Sequence, residues 1–278
     1  MRTIRTVEEL RARPSAGRVG LVPTMGAFHA GHESLIRAAR EETDEVVVSL
    51  FVNPAQFNDA RDLEAYPRDE QRDAAKAEEL GADVLFAPGA DEVYPQGFGT
   101  KVVVEGLSDV YEGAKRGPGH FAGVSTVVAK LFNMVQPDVA YFGEKDAQQV
   151  AVLRRMVKDL DFPLELRVMP TIRDPDGLAL SSRNVRLSPA ERAQALALSA
   201  ALRAAAEHGL EAGEGVLRKA GVTPEYFAAV DPETFETPGD LIVIAATIGT
   251  TRLIDNQAAT PERRGADPKG AVSVLPAS

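Results

Sequence analysis

The sequence contains no cysteine, which excludes disulfides and thiolate metal sites. Histidine is scarce as well: only His29, His32, His120 and His208 are present. A helical zinc pair usually takes i, i+4 spacing and needs a third ligand, whereas His29 and His32 are three apart, so zinc is a weak reading. Long apolar runs are missing. The longest lies around Val46–Val52, far short of the roughly 20 residues that span a bilayer. Met1–Thr6 carries charge with no apolar segment behind it, so no signal peptide is expected. An excess of positive charge is missing too. The formal net charge of −10 argues against a broad nucleic-acid surface but leaves room for a small anionic substrate in a local basic pocket. What remains is a chain of 278 residues, 44% hydrophobic, enough for one large or two modest domains. The lack of cysteine is compatible with a reducing cytoplasm.

Short apolar runs alternate with helical patterns. Strands are expected at Val19–Val22, Val46–Val52, Ala82–Ala87, Asp138–Phe142 and Leu164–Met169, with a shorter one at Lys101–Val104 on an edge. Helices are expected around Asp69–Leu80, Gly123–Met134 and Gln148–Leu160. This alternation implies βαβ units and a parallel sheet. The pattern changes near the turn cluster Asp174–Gly177. Ser188-Pro189-Ala190-Glu191 then reads as a capping box opening an alanine-rich helix that runs to His208. A second helix at Glu214–Ala220 and strands at Tyr226–Val230, Leu241–Ala246 and Arg252–Ile254 follow. The expectation is a Rossmann-like domain over 1–172, a small α+β domain over 173–256 and a disordered tail over 257–278.

Five segments carry chemistry. Pro23-Thr24-Met25-Gly26-Ala27-Phe28-His29-Ala30-Gly31-His32 joins a strand to a helix. Glycines allow close backbone approach, and free N–H groups at the helix start suit an anion, with two imidazoles as added donors. The competing reading is two ordinary histidines at a helix start. Gly143-Glu144-Lys145-Asp146, with Gln149 beyond it, follows a strand, where open α/β sheets bind ligands. Lys145 offers a cation for phosphate and Asp146 an acceptor for a ribose hydroxyl; the alternative is a solvated loop and helix cap. In Leu180-Ser181-Ser182-Arg183, two hydroxyls and a guanidinium suit a mobile polyphosphate clamp; the alternative is a polar linker. No nucleophile-elbow pattern surrounds the serines. Asn53 and Gln56 in Phe51–Phe57 suit a hydroxylated or carboxylate-bearing substrate, or cap a turn. Glu112–Phe121 is a glycine-rich basic loop that faces an anion or simply connects.

Together, Pro23–His32, Phe51–Phe57, His120–Thr126, Phe142–Gln149, Gly177–Asn184 and Thr251–Asn256 give the chain a close resemblance to the pantoate–β-alanine ligase family, within the His-x-Gly-His nucleotidylyltransferase superfamily. The resemblance spans nearly all of residues 1–256. It implies condensation of pantoate with β-alanine through a pantoyl-adenylate, with release of pyrophosphate and AMP. It implies ATP binding by Met25, Gly26, Ala27, Phe28, His29, Ala30, Gly31 and His32, by Gly143, Glu144, Lys145 and Asp146, by Ile172, and by Leu180, Ser181, Ser182 and Arg183. His32 matches the proton donor, and His29, Lys145 and Arg183 join it as catalytic candidates. Gln56 and Gln149 match the pantoate-holding pair, with Gln56 also near β-alanine. The family resemblance further implies Mg²⁺ with ATP and a cytoplasmic homodimer without nucleic-acid or membrane partners; no residue is named as a direct ligand of the metal. Gly117 departs from the family pattern as an extra residue before Pro118, and Arg72 stands beside Asp73 where an acidic pair is usual. Because an acyl-adenylate hydrolyses readily, water must be kept out, and a small second domain acting as a lid would serve that need. The rival readings are a nucleotidylyltransferase acting on a phosphate and a non-catalytic nucleotide-binding module.

Overall fold

The computed structural model describes residues 1–14, 17–58, 60–117 and 119–260. They form two compact units. The first takes Met1–Glu144 and Val152–Pro170, and the second takes Lys145–Ala151 and the described residues from Thr171 on.

The first unit begins with β1 (Arg2–Ile4), α1 (Val7–Arg11), β2 (Val19–Thr24), α2 (Ala30–Glu42) and β3 (Glu45–Leu50). It continues through α3 (Ala60–Glu64), α4 (Glu70–Glu79), β4 (Val84–Phe86), α5 (Ala90–Val93), α6 (Tyr111–Arg116) and α7 (Gly119–Val135). Then come β5 (Val139–Gly143), α8 (Ala147–Asp159), whose first residues belong to the second unit, and β6 (Glu165–Met169). The six strands form one parallel sheet in the order β1-β4-β3-β2-β5-β6. The apolar runs become strands because parallel strands are covered on both faces; Leu21, Val22, Val46, Val47 and Val48 have no exposed surface. On one face, Ile36, Ala39, Ala77 and Leu80 from α2 and the α4 region pack with Val22, Val46 and Val48.

The sheet order reverses between β2 and β5. The chain builds outward from β2 through β3 and β4, then returns to lay β5 on the other side of β2. Such reversals leave a crevice at the carboxyl ends of the strands.

The second unit holds α9 (Pro189–His208), α10 (Leu210–Lys219) and the antiparallel sheet β7 (Tyr226–Val230), β8 (Leu241–Ile248) and β9 (Thr251–Ala258). Leu198, Ala201, Leu202 and Ala205 pack on Phe227, Ile242, Ile244 and Ala246. The expected capping box is formed: Ser188 Oγ accepts from the Glu191 amide, and Glu191 accepts from the Ser188 amide.

Several expectations change. Lys101–Val104 is not a strand; the Val102 amide donates to the Thr126 hydroxyl at 2.9 Å, so this backbone is satisfied by a side chain. Of the expected loop, Glu112–Arg116 lie in α6 and Gly119–Phe121 in the start of α7. Lys115 and Arg116 close α6, and the extra Gly117, at φ 86°, supplies the left-handed residue that ends it. The second helix starts at Leu210, and the last strand runs from Thr251 to Ala258. Of the tail expected over 257–278, Gln257 and Ala258 belong to that last strand, and the residues from 261 on lie outside the described residues. Among the described residues no helix is long and apolar enough to cross a membrane.

Candidate active site

Three neighbouring strands, β3, β2 and β5, point their carboxyl ends the same way. From β3 leaves the loop carrying Gln56 and from β2 the loop carrying His29, while Gly143 ends β5 itself. Segments far apart in sequence therefore start from adjacent strands, spaced by roughly 5 Å each.

The loop after β2 is held from within. Gly26 and Ala27 both have positive φ, 88° and 54°. For alanine that conformation costs about 1–2 kcal/mol, so something must hold it. The side chain of Asp73, on α4, accepts from the Ala27 amide at 2.7 Å and from the Phe28 amide at 2.9 Å. Successive amides turned to one point make an anion concavity, and the anion here is the protein's own carboxylate, which is 1% exposed. A Cβ at position 26 would lie 2.8 Å from Asp73 Oδ2 and from Leu50 Cδ1, so only glycine fits. Of the free N–H groups expected at the helix start, the Gly31 amide is taken by His29, and the Ala27 and Phe28 amides ahead of the helix bond Asp73.

His29 is the N-cap of α2. Its Nδ1 accepts from the Gly31 amide at 3.1 Å, in place of the usual Ser or Asp oxygen. An accepting Nδ1 carries no proton, so neutral His29 has its hydrogen on Nε2 and presents a donor there. A Cβ at Gly31 would lie 2.8 Å from the ring of His29, so the glycine lets the imidazole fold over the helix end. His32 lies one turn on. Its ring centroid is 4.2 Å from that of His29 and 5.6 Å from that of Phe28, and its Nδ1 is shielded from solvent.

The loop after β3 forms a 3₁₀ turn, Pro54–Gln56, capped by Asn53. Asn53 is 1% exposed and uses its whole amide. Its oxygen accepts from the Ala55 amide at 3.2 Å and the Tyr94 hydroxyl at 2.8 Å. Its nitrogen donates to Gln56 Oε1 at 3.0 Å and the Gly123 carbonyl at 3.1 Å. With Oε1 so engaged, Gln56 keeps its NH₂ as a donor. Burial pushes the Tyr94 hydroxyl up to about 12, keeping it protonated as the donor. His120 Nδ1 lies 2.9 Å from the Gln56 carbonyl, which can only accept, so His120 fixes the backbone of the turn.

Glu144–Asp146 is a 3₁₀ turn ahead of α8, and from Lys145 the chain belongs to the second unit. Lys145 Nζ bonds Asp146 Oδ1 at 3.3 Å, and the Lys145 carbonyl accepts from Asn256 Nδ2 at 3.0 Å. Gln149 is half-buried in the first turn of α8. Residues 172–180 form a small hairpin: Arg173 bridges Ala179, and the Leu180 amide donates to the Ile172 carbonyl. Its tip is held by Arg192 of α9, which bonds Asp174 at 2.6 Å and Asp176 at 2.9 Å. Leu178 inserts into the core of the unit. Ser181, Ser182 and Arg183 follow, all half-buried; Ser181 Oγ accepts from the Arg183 amide at 3.3 Å. The expected clamp therefore leaves an anchored base.

Tyr94 belongs to no motif, and nothing in the sequence distinguishes it from its core neighbours; Asp73 entered only as the residue beside Arg72 where the family usually has an acidic pair, with no hint of its bonds to the Ala27 turn. Asn53 was legible as an amide at a strand end, and the capping role is the one it takes.

The profile of the pantoate-beta-alanine ligase family matches residues 1–258. The pantothenate synthetase of Thermus thermophilus is 52% identical over 275 residues, covering 92% of this chain and 98% of that protein. That of Koribacter versatilis is 48% identical over 277 residues, covering 92% and 95%. A crystal structure of the Thermus thermophilus enzyme superimposes with a TM-score of 0.89 at 50% identity, covering 94% of this chain and all of that one. The pantoate-beta-alanine ligase of Francisella tularensis, described as complexed with beta-gamma ATP and beta-alanine, gives 0.81 at 36% identity, covering 93% and 98%. With a parallel sheet that reverses at β2, a histidine-capped helix at that corner and a match over nearly its whole length, the chain belongs to the pantoate–β-alanine ligase family.

Proposed function

We propose that this ligase joins pantoate to β-alanine in two steps. A carboxylate oxygen of pantoate attacks the α-phosphorus of ATP, the bond to the bridging oxygen breaks, and pyrophosphate leaves with the electron pair. The amine of β-alanine then attacks the acyl carbon of pantoyl-adenylate. The bond to the adenylate oxygen breaks, AMP leaves, and the nitrogen loses a proton to give pantothenate.

One observation carries this reading: the loop bearing His29 and the strand end at Gly143 belong to adjacent parallel strands at the point where the sheet order reverses. In this assignment His29 Nε2–H and His32 face the polyphosphate, and His32 assists the departing pyrophosphate. Lys145 and Arg183 supply positive charge as phosphate charge develops, which is the main demand of such a transfer. Met25–His32, Gly143–Asp146, Ile172 and Leu180–Arg183 contact the nucleotide. The Gln56 NH₂ and Gln149 orient pantoate without adding negative charge near its carboxylate, and Gln56 also lies near β-alanine.

Magnesium enters this reading with ATP. Asp73 faces two amides, so the residues present fit an ion held mainly by phosphates and water. Bound there, it would neutralise phosphate charge. The homodimer and the cytoplasmic location rest on the family resemblance; light scattering of the purified protein tests the first.

The test is a product assay with ATP, Mg²⁺, pantoate and β-alanine. AMP and pyrophosphate are expected, and pantoate alone should drive exchange of labelled pyrophosphate into ATP. ADP as product, or exchange strictly dependent on β-alanine, would overturn the two-step route.

A further inference from the structure

The closing motif of the chain, Thr251–Asn256, has no part in the chemistry assigned above. Its last two residues are nevertheless among the most buried polar groups of the second unit: Asp255 is 5% and Asn256 4% exposed. They lie on β9, where Ile244 and Val243 of β8 oppose them. Buried polar side chains need partners, and the partners here are specific.

Asp255 receives both arms of the Arg173 guanidinium, at 2.6 and 3.0 Å. Such a fork fixes orientation as well as distance. Arg173 also donates to the Gly177 carbonyl at 3.3 Å and the Asn256 carbonyl at 3.4 Å. It thereby ties both strands of the hairpin that delivers Leu180–Arg183 to β9. Asn256 reaches the other way: its Nδ2 donates to the Lys145 carbonyl at 3.0 Å. The Asn256 amide donates to Asp255 Oδ1 at 2.8 Å, joining the two contacts into one network. Segments 111 and 82 residues distant are therefore set from adjacent positions of one strand.

We propose that Asp255 and Asn256 are positioning residues for nucleotide: Asn256 sets the Lys145 turn, and Asp255, through Arg173, sets the Leu180–Arg183 segment. The proposal rests on the reading of those two segments as ATP-binding. It explains why a carboxylate and an amide occupy positions where apolar residues would serve a sheet core as well or better. The bland alternative is that both simply stabilise the unit.

The two roles separate in hydrogen exchange. Asn256→Ala is expected to speed exchange in 143–148 and leave 178–184 near wild type. Arg173→Lys keeps the charge, loses the fork, and is expected to do the reverse. Arg252→Gln, also on β9, removes an ion pair to Glu225 ahead of β7; it serves as control and should loosen neither. ATP affinity by calorimetry should fall about tenfold in each of the first two variants, the equivalent of one hydrogen bond, and stay unchanged in the control. If both segments loosen together in proportion to the fall in Tm, or if ATP affinity is unaffected, the pair is structural and the proposal fails. Should Asn256→Ala not fold, Asn256→Ser is read the same way. Wild-type protein that fails to bind ATP would instead refute the functional reading, while the exchange pattern still reports on the positioning.

Discussion

Asp73 and Ala27 are 46 residues apart in sequence, yet the Asp73 carboxylate lies 2.7 Å from the Ala27 amide. Together with the Phe28 bond it holds the strained turn that places His29 at the head of α2.

Asp73→Asn keeps the shape but can turn only one oxygen to the two amides. Leaving a buried donor unsatisfied costs about 1–3 kcal/mol, so pyrophosphate exchange should drop roughly tenfold or more. The KM for pantoate should hardly move. Activity equal to wild type would mean that the turn keeps its shape without the carboxylate.

His29 has two jobs that a single substitution can split. Asn at an N-cap accepts from the helix amides as well as any residue, so His29→Asn should melt close to wild type. It lacks the Nε2–H donor, and kcat for adenylate formation should fall by roughly 10²-fold or more. His29→Ala should lose both activity and about 1 kcal/mol of stability. A fully active His29→Asn would confine the imidazole to capping.

Tyr94→Phe removes one of the two bonds to the Asn53 oxygen. The Asn53 amide that sets Gln56 is then less firmly held. The KM for pantoate should rise by about two- to tenfold, the range of one hydrogen bond, with ATP little affected. Because burial raises the hydroxyl to about 12, wild type should show no corresponding step up to pH 10. A change in ATP affinity instead would place this turn elsewhere.

Acid stability has a local contributor at Asp231. Its carboxylate accepts from the Thr234 and Glu233 amides, both at 2.8 Å, and these bonds hold it below the ordinary carboxylate value. A folded value below the unfolded one adds stability that is complete above about pH 4 and lost as pH falls through the folded value. Asp231→Asn should therefore lower Tm at pH 7 and narrow the gap to wild type in acid. A gap that stays constant with pH would show that the charge itself contributes nothing.

The central strands were legible because both faces are covered, which forces long valine runs such as Val46-Val47-Val48. The histidine pair and the Gly143–Asp146 turn were legible because glycines mark the strand ends that carry them. Lys101–Val104 imitated a strand because three valines in a row score alike whether or not a partner strand exists; here Thr126 took the backbone bond instead. Short β1, with only Ile4 buried, had no pattern to read. The role of Asp73 in holding the Ala27 turn was invisible for a different reason. In Glu70–Glu79 it is one charged residue among many, and only the arrival of α4 beside the Ala27 turn makes it unlike the rest. The Asn256 contact with Lys145 spans most of the second unit's sequence and leaves no local trace.

A turn whose amides are already bonded to Asp73 has no rearrangement left to make when a ligand arrives. In the ATP-binding reading proposed above, the histidine corner is a template ordered before nucleotide arrives, and no conformational entropy is spent on that turn at binding.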